Sequence, residues 1–417
     1  MRILKLTPQV EAKLLRRRNE RDQEAYRVAG RIVADVNRRG DRAVDEWARK
    51  LDGVNVSGNQ IWVTPEDMAA ARKRVSQQFL RAVDHAVANV RRVAERQLAK
   101  EWTFEVEPGV RIGQLIRPIE SVGCYVPGGR FALFSTMVMT VVPAQVAGVE
   151  RIVAVCPRAN DEVLAAADLL GVAHLARIGG AHAIAALAYG TKRIAAVEKI
   201  FGPGNRFVTA AKQIVSYDCA IDLPAGPTEA VVLAQGGNAR WIAADLLAQA
   251  EHALDAGSYL VTTSRELAKQ VQKEVADQLQ ALPQDNPARV SCEKTGAILL
   301  ARTWQQGIAF VNRFAPEHLS LPENAPALLK QIRSCGTVFV GHLSAQAFGD
   351  YASGSNHVLP TGGWARRRGG LSANDFVKQI SVQSVSSAGH RRLARDVQIL
   401  AQAEGLQAHA NAVEVRR

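Results

Sequence analysis

The chain has 417 residues, an apolar fraction of 47% and a formal net charge of +12. This length exceeds one ordinary domain, so two or more folded units are expected, and the composition is that of a soluble globular enzyme without the roughly 18–20 consecutive apolar residues of a membrane span. The basic charge suggests nucleic-acid binding, but the basic residues are mixed with acidic neighbours and no nucleic-acid module is present. A phosphate-bearing or otherwise acidic substrate or cofactor explains the charge equally well.

Long amphipathic helices are predicted over residues 9–50 and 64–101. Thr64 followed by Pro65 and two acids is a typical helix start, with Thr64 as the N-cap and Pro65 in the first turn. The amino-terminal part of the chain is therefore predicted to be mainly helical.

Two α/β units are predicted to follow a strand pair over about residues 110–118. In both units short apolar runs alternate with helical patterns, which predicts βαβ order and parallel sheets. We therefore predict an α/β fold of two Rossmann-like parallel-sheet units with an N-terminal helical segment and a C-terminal tail. The predicted segments are residues 1–118, packing with 223–365; residues 119–222; residues 223–365; and the tail, residues 366–417.

The cysteines and the amino terminus exclude several classes of protein. Five cysteines are scattered without a CxxC pair, which argues against a disulfide framework and against a thiolate zinc site. The amino terminus lacks the apolar core of a signal peptide. A cytoplasmic location is expected.

Glu317 and His318 are adjacent in the run Ala-Pro-Glu-His-Leu. Both side chains can accept a proton near neutral pH. Pro316 disfavours helix at Ala315 and indicates a loop or an element start, where catalytic groups are common. An exposed surface pair is the simpler interpretation of such a dipeptide, unless other polar clusters join it.

Three polar clusters are candidates for that role. Gln249 and His252 are three residues apart in a helical run, so they share one helix face and could reach one metal ion. The others, each of which could instead be turn chemistry or solvated surface, are Asp350 with His357 and Glu404 with His409.

A dinucleotide fingerprint GxGxxG is not completed in this sequence. Gly179-Gly180 and Gly202-Pro203-Gly204 both follow predicted strands, but neither run has the full spacing. Spacing alone therefore leaves open whether these are cofactor loops or ordinary turns.

Seven motifs, taken in order, resemble histidinol dehydrogenase over nearly the whole chain. They are Gly-Cys-Tyr125-Val-Pro-Gly-Gly, Phe-Gly-Pro-Gly-Asn205, Asp-Leu-Pro-Ala-Gly-Pro-Thr228-Glu, Gln249-Ala-Glu-His252, Pro-Glu317-His318-Leu, Gly-Asp350-Tyr-Ala-Ser-Gly-Ser-Asn-His357-Val-Leu-Pro and Ala-His409-Ala-Asn-Ala-Val. The motifs are specific for the family and less so for the substrate, because the family includes paralogues that oxidise other polar alcohols.

The resemblance implies two successive oxidations, from histidinol through the aldehyde to histidine, with two NAD molecules, at the end of histidine biosynthesis. His318 would accept the hydroxyl proton, and Glu317 would activate water to attack the aldehyde. Tyr125, His182 and Asn205 would contact NAD, which assigns the cofactor to residues 119–222.

The resemblance also implies a metal site and a homodimer. Zinc, or a similar divalent ion, would be held by nitrogen and oxygen donors and would mainly orient the substrate. Glu404 and His409 would be donated across the dimer, so that each site needs two subunits. The implied ligands are Gln249, His252, Asp350 and His409, and the implied substrate contacts are Thr228, Gln249, His252, His318, Asp350, His357, Glu404 and His409.

Four positions depart from the family pattern. His182 replaces a usual Gln, Thr228 a usual Ser and Gln346 a usual Glu, while Arg130 adds a positive charge. The lost carboxylate at position 346 and the added guanidinium of Arg130 favour a substrate with an anionic group over a cationic amine. A paralogue acting on another polar alcohol, such as a sulfopropanediol, is therefore the second hypothesis.

Two other reaction classes are weaker hypotheses. A metal-dependent hydrolase could use the same ligands. A cysteine-based aldehyde dehydrogenase would need an activated thiol near an α/β switch point, and no motif for one is present.

Overall fold

The computed structural model describes residues 1–19, 22–128, 133–224, 226–323 and 326–416. Arg130 lies outside these ranges. The strands are β1 (Arg2–Lys5), β2 (Trp102–Glu107), β3 (Val110–Pro118), β4 (Ser121–Tyr125), β5 (Arg151–Val155), β6 (His174–Ala176), β7 (Lys199–Phe201), β8 (Ala220–Ile221), β9 (Glu229–Leu233), β10 (Gly257–Thr262), β11 (Ala297–Leu300), β12 (His318–Leu321), β13 (Thr337–Val340) and β14 (Val377–Val385).

Helices precede, separate and follow these strands. They are α1 (Pro8–Asn19), α2 (Gln23–Arg39), α3 (Asp41–Trp47), α4 (Pro65–Arg74), α5 (Gln77–Gln97), α6 (Phe134–Ala147), α7 (Asp161–Leu169), α8 (Gly180–Tyr189), α9 (Arg206–Val215), α10 (Ala239–Ala250), α11 (Arg265–Ala281), α12 (Ala288–Lys294), α13 (Trp304–Phe314), α14 (Pro326–Leu329), α15 (Gln346–Tyr351), α16 (Ser387–Ala403) and α17 (Gln407–Glu414). In the described part of the chain, none of them is long and apolar enough to cross a membrane.

Two parallel sheets share one strand order, which confirms the predicted fold class. The first sheet runs β6-β5-β4-β7-β8 and the second runs β11-β10-β9-β12-β13, with β1 added beside β11. In each sheet the first strand of the unit is central, and the chain then builds outwards on both sides. Each sheet therefore has a switch point, between β4 and β7 in the first and between β9 and β12 in the second.

Apolar cores cover both faces of each sheet. Successive residues of β4 and β5 alternate between two buried clusters, and those of β9 and β10 alternate between two others. Strands buried on both faces read as continuous apolar runs, which is why Ile152 to Cys156 and Ala230 to Leu233 stand out in the sequence.

The N-terminal segment packs differently from the prediction. β1 and α1 join the second unit, where β1 extends the sheet beside β11 and Val10 and Leu14 pack on its core. Helices α2 to α5 instead pack on helices of the first unit. The predicted packing of all of residues 1–118 with 223–365 is thus wrong for these four helices, because their apolar faces complete the two cores of the first sheet.

The tail begins with a long strand that the sequence did not indicate. β14 pairs antiparallel with β3, and β3 pairs with β2, giving a separate three-stranded sheet. α16 follows and α17 packs back on it, while most residues of β14 are exposed. The tail helix predicted at about residues 388–404 corresponds to α16.

Candidate active site

Glu317 and His318 stand where β12 begins. Helix α13 ends at Phe314, and Ala315 takes a left-handed conformation with φ 49° before Pro316. In the parallel pairing of β12 with β9, His318 is in register with Ala230. The Glu-His pair therefore lies at the amino ends of the two central strands, next to Thr228 and Glu229.

The Glu317 carboxylate is held by two donors. Its Oε2 accepts from the Thr228 hydroxyl at 2.5 Å and from the Glu229 backbone N–H at 3.0 Å. The side chain is buried. Hydrogen bonds to the ionised form stabilise a carboxylate in a buried site.

A chain of side-chain amides continues from Thr228. The Gln249 Nε2 donates to Thr228 Oγ1 at 2.7 Å, and the Gln346 Nε2 donates to Gln249 Oε1 at 2.7 Å. Both glutamines are buried. Gln346 thus lies behind Gln249, so a charge at position 346 would act on Thr228 through Gln249.

His318 lies between two carboxylates. Its Nδ1 is 3.7 Å from Glu317 Oε2, its Nε2 is 3.6 Å from Asp350 Oδ1, and its ring stacks on Phe339. Burial lowers the pKa of His318, but the charges of Glu317 and Asp350 outweigh burial and the net shift is upward. The imidazole is therefore disposed to take up a proton.

Asp350 and His357 are held together by the loop after α15. The His357 Nδ1 donates to the Asp350 backbone carbonyl at 2.9 Å, and its Nε2 lies 3.3 Å from Thr136 Oγ1 on α6 of the first unit. Burial lowers the pKa of His357. Burial raises the pKa of Asp350, but His318, His357 and His252 together lower it below the usual value. Asp350 is thus an anionic centre among imidazoles.

His252 presents one free ring nitrogen to this region. Its Nδ1 donates to the Ala248 carbonyl at 2.9 Å, and its charge is close enough to lower the pKa of Asp350. A backbone carbonyl on one ring nitrogen is the usual arrangement of a metal-binding histidine, because it leaves the other nitrogen as the ligand. The His252 side chain is exposed.

The tail residues Glu404 and His409 are not brought to this cluster. Both are exposed, and α17, which carries His409, packs on α16 of the same tail. Within the ranges that the structure describes, no three His, Cys, Asp or Glu side chains converge on one metal position. A single chain therefore places Gln249, His252 and Asp350 in one region and leaves His409 outside it.

The predicted cofactor contacts lie at the carboxyl edge of the first sheet. Tyr125 ends β4, His182 follows β6 in the first turn of α8, and Asn205 caps α9 after β7 by accepting from Phe207 and Val208 backbone N–H groups. Tyr125 and Asn205 flank the switch point, which is the usual place for a nucleotide.

His182 is fully buried and only half satisfied. Its Nε2 lies 3.0 Å from Asp52 Oδ2, which also accepts from the Gly179 N–H at 3.0 Å, while its Nδ1 has no hydrogen-bond partner among the described residues. Gly202 has φ +112° and approaches the Tyr125 carbonyl so closely that a Cβ there would collide with it at 2.2 Å. Glycine at position 202 thus allows the turn after β7 to lie directly against the end of β4.

Several contributors to the site carry no signal in the sequence. Asp52, Thr136 and Phe339 are single residues far from the motifs, and the Glu229 contribution is a backbone N–H. They become visible only when strand register and helix packing bring them to Glu317, His318, His357 or His182.

The cysteines do not support thiol chemistry. Burial raises the pKa of all five thiols, to about 11 or about 12. A catalytic thiol needs a lowered pKa, so the cysteine-based aldehyde dehydrogenase hypothesis has no candidate nucleophile.

Comparison with known proteins identifies the family of the chain. The family model for histidinol dehydrogenase matches residues 15–417. The chain is 44% identical over 392 residues to the histidinol dehydrogenase of Methanothermobacter thermautotrophicus, covering 92% of each chain. It is 44% identical over 412 residues to that of Geobacter sulfurreducens, covering 97% of this chain and 96% of the other. The crystal structure of histidinol dehydrogenase from Elizabethkingia anophelis superposes with a TM-score of 0.94 at 36% identity, covering 100% of this chain and 98% of that chain. The chain therefore belongs to the histidinol dehydrogenase family of NAD-dependent oxidoreductases.

Proposed function

We propose that this protein oxidises L-histidinol through histidinaldehyde to L-histidine, with zinc and NAD, as the last steps of histidine biosynthesis. The observation that carries the proposal is the buried Glu317–His318 pair at the start of β12. There a hydrogen-bonded carboxylate lies beside an imidazole that is disposed to take up a proton. A two-stage oxidation needs a base for the alcohol and a base for water, and this pair supplies both.

His318 is the proton acceptor for the alcohol. The carboxylates on both sides of its ring stabilise the imidazolium that forms when it takes the hydroxyl proton. Stacking on Phe339 holds the ring plane, so the accepting nitrogen keeps its direction.

Glu317 is the base for the second stage. Both of its described hydrogen bonds fall on Oε2, which leaves Oε1 to accept a proton from water. His318 acts again as the proton acceptor in the second oxidation. By then Glu317 has positioned the water oxygen that the product gains.

Tyr125, His182 and Asn205 are the proposed NAD contacts, and NAD when bound supplies the hydride acceptor for each stage. Two observations support this assignment: among the described residues the Nδ1 of His182 has no hydrogen-bond partner, and Gly202 lies directly against Tyr125. The contact between Thr136 and His357 connects α6 to the loop after α15. Helix α6 follows β4, the strand that ends at the proposed cofactor contact Tyr125.

Gln249, His252 and Asp350 fit a zinc site as nitrogen and oxygen donors. The ion when bound orients the substrate. Gln249 Oε1 faces Gln346 with one of its two lone pairs, and His252 keeps one ring nitrogen free. The fourth predicted metal ligand, His409, is absent from this group, because in the same chain it lies on the tail.

A homodimer completes the proposed site. The tail leaves apolar side chains exposed, among them Ile399 at 53% and Leu400 at 66%, and surfaces of this kind mark interfaces. Glu404 and His409 of a second subunit would then join the cluster. A cytoplasmic location fits the free cysteines, which persist in reducing compartments.

A second candidate substrate is another polar alcohol, including a sulfopropanediol. The observation behind it is that the hydrogen-bonded chain of Gln346, Gln249 and Thr228 beside Glu317 is neutral, with no carboxylate at position 346. Recognition of an anionic alcohol would use the same Glu317–His318 chemistry.

The test is NADH formation with purified protein, zinc and a panel of polar alcohols that includes histidinol and sulfopropanediol. Two NADH per histidinol, with histidine as product, is the expected result. Oxidation of a different alcohol with higher kcat/KM would transfer the assignment to the second candidate. Hydrolysis without NADH would overturn both and favour a metal hydrolase.

A further inference from the structure

A basic cleft lies on the amino-terminal helices. It is formed by α2, α3 and the π-helical turn Ala48–Asp52 that follows α3, and its volume is about 610 Å³. Sites for small molecules usually measure about 300–1,000 Å³. None of its lining residues is a proposed contact of the substrate, the metal or NAD. They are Arg31, Ala34, Asp35, Arg38, Trp47 and Lys50.

The indole ring of Trp47 holds two cations in this cleft. Its Nε1 donates to Asp35 Oδ2 at 2.9 Å, which fixes the ring. The guanidinium carbon of Arg31 lies 5.9 Å from the ring centre, and the Lys50 Nζ lies 5.2 Å from it. Both distances are within the range of cation–π attraction. The ring therefore keeps Arg31 and Lys50 at the cleft without the help of a carboxylate.

Asp35, the carboxylate of the lining, is already bound to other donors. Its Oδ1 accepts from Arg39 Nε at 2.8 Å and from Arg38 Nη2 at 3.3 Å, and its Oδ2 accepts from Arg39 Nη2 at 2.5 Å as well as from Trp47. These hydrogen bonds, those of Arg39 above all, hold the pKa of Asp35 well below its usual value. The negative charge of Asp35 is thus neutralised chiefly by Arg39, which is not part of the lining.

Arg31 and Lys50 consequently keep their positive charges unpaired. Within the ranges that the structure describes, no carboxylate forms an ion pair with either of them. Two like charges beside one ring repel each other, and an anion bound to both would relieve that repulsion. A phosphate group has enough acceptor oxygens for a guanidinium and an ammonium together. The cleft therefore has the charge and the donors of a phosphate site.

We propose that this cleft binds a small molecule that carries phosphate, with Arg31 and Lys50 as its main contacts. Lys50 stands on the π-helical turn, and such turns are rare and frequently occur at functional sites. Asp52, at the end of the same turn, accepts from His182 and from the Gly179 N–H. The cleft thus adjoins the proposed cofactor edge without sharing its residues.

The experiment is calorimetric titration of the purified full chain with inorganic pyrophosphate, at about 0.15 M salt, where long-range attraction of anions is largely screened. Arg31→Gln and Lys50→Gln should each weaken binding about 5- to 20-fold, the worth of a charge-assisted hydrogen bond reduced by solvent. Arg49→Gln is the matched control, because it removes the same charge from the same turn and Arg49 does not line the cleft. Its Kd should stay within about twofold of the parent value.

Equal weakening by Lys50→Gln and Arg49→Gln would overturn the proposal, since binding would then depend on net charge alone. A parent protein that binds no pyrophosphate would overturn it as well.

The fluorescence of Trp47 shows where the anion binds. Pyrophosphate should change the tryptophan fluorescence of the parent, and Trp47→Phe should lose that change while calorimetry still detects binding. A change that persists in Trp47→Phe would place the anion beside another tryptophan and overturn the proposal.

NAD distinguishes this cleft from the cofactor site. Saturation with NAD should leave the Kd of pyrophosphate within about twofold, as expected for two separate sites without strong coupling. Competitive displacement would show that the cleft takes the phosphates of NAD itself, and it would overturn the proposal of a separate ligand.

Discussion

Glu317 and Asp350, the two carboxylates of the candidate active site, have different kinds of neighbour. Glu317 accepts neutral donors, the Thr228 hydroxyl and a backbone N–H, whereas Asp350 sits among imidazoles that lower its pKa. The donors that hydrogen-bond Glu317 are neutral, and its ionisable neighbour is His318, whose Nδ1 is 3.7 Å from Glu317 Oε2. Asp350, with imidazoles around it, is suited to be a metal ligand, because the same imidazoles can also bind the metal cation.

Glu317→Gln should separate the two stages of the reaction. An amide keeps the shape of the side chain and cannot take a proton from water. Oxidation of the aldehyde should fall about 10²- to 10⁴-fold, the usual contribution of a general base, with a much smaller effect on the alcohol. Stopped-flow measurement of NADH from histidinol and from histidinaldehyde checks this, and equal losses in both stages would disprove the assignment.

His252→Ala should lose bound zinc, because the exposed imidazole is the strong nitrogen donor that one chain brings to Asp350. Elemental analysis of the purified variant measures this directly, without relying on activity. His85→Ala, at an exposed helix position far along the chain, is the control and should keep its metal. Full zinc occupancy in His252→Ala would remove this residue from the ligand set.

Asp245 gives a pH-dependent stability that can be measured. It lies on α10 in a crevice with Ser320 and Ser344, and burial raises its pKa from 3.8 to about 6. The folded state thus binds the proton more tightly than the unfolded state, and the associated stability is lost as pH rises from about 4 through about 6. Asp245→Asn should raise the free energy of unfolding by about 1–2 kcal/mol at pH ~8, after allowance for solvent screening, and by nearly nothing at pH ~4. Urea unfolding at the two values decides it, and an equal difference at both would exclude desolvation of Asp245 as the cause.

At the scale of elements, the sequence predicts the helices and strands that neighbouring residues determine. It misses those that depend on pairing with a distant part of the chain. Apolar runs gave the central strands, and Thr64 with Pro65 gave the start of α4, where Thr64 accepts from the Asp67 N–H. The β14 strand was missed because its residues are mostly exposed and its partner, β3, lies far away in the chain. Strand order and helix packing depend on such distant contacts, so local patterns cannot supply them.

The candidate site also combines residues that the sequence predicts with contacts that only the folded chain reveals. The family motifs predicted Glu317, His318 and the other residues of the site. The register between β9 and β12 is what brings Glu317 and His318 close to Thr228 and Glu229. The sequence marks Gln346 as a departure from the family pattern that bears on substrate charge, and the structure puts Gln249 between it and Thr228. Local sequence shows which groups are present, whereas their order in a hydrogen-bond chain is a property of packing.

The turn between β7 and α9 depends on a buried ion pair. Lys212 of α9 pairs with Asp222 and also donates to the Gly202 carbonyl at 2.9 Å, while Asp222 accepts from the Gly202 N–H at 2.8 Å. Both charged side chains are almost completely buried. The pair therefore fixes Gly202 from both sides, next to the proposed cofactor contact Tyr125.

Lys212→Met should destabilise the protein by about 3–5 kcal/mol, because it leaves the Asp222 charge buried without its partner. The double variant Lys212→Met with Asp222→Asn should recover part of that loss, since the unpaired charge is then gone. Unfolding in urea measures both. A double variant less stable than Lys212→Met would show that the backbone contacts of Asp222, rather than its charge, dominate.

At the scale of the whole molecule, the tail stands apart from the site of its own chain. β14 and α16 attach to β3 at the edge of the amino-terminal half, and α17 carries His409 on an exposed helix. The tail leaves the apolar side chains of Leu400 and Val415 exposed, at 66% and 68%. This distribution is expected if a second subunit receives the tail.

Mixing two inactive variants tests whether the tail serves a neighbour. One variant carries His318→Ala with an intact tail, and the other carries His409→Ala with an intact Glu317–His318 pair. If each site combines one subunit's pair with the other's tail, a mixed dimer contains one site with both lesions and one with neither. Activity should then return to about half of normal per mixed dimer, because shared sites of a symmetric dimer are two in number. Mixing either variant with itself is the control and should recover nothing. Mixed dimers shown by mass to form, yet inactive, would mean that each tail completes the site of its own chain, and the exposed position of His409 would then need a rearrangement within one subunit.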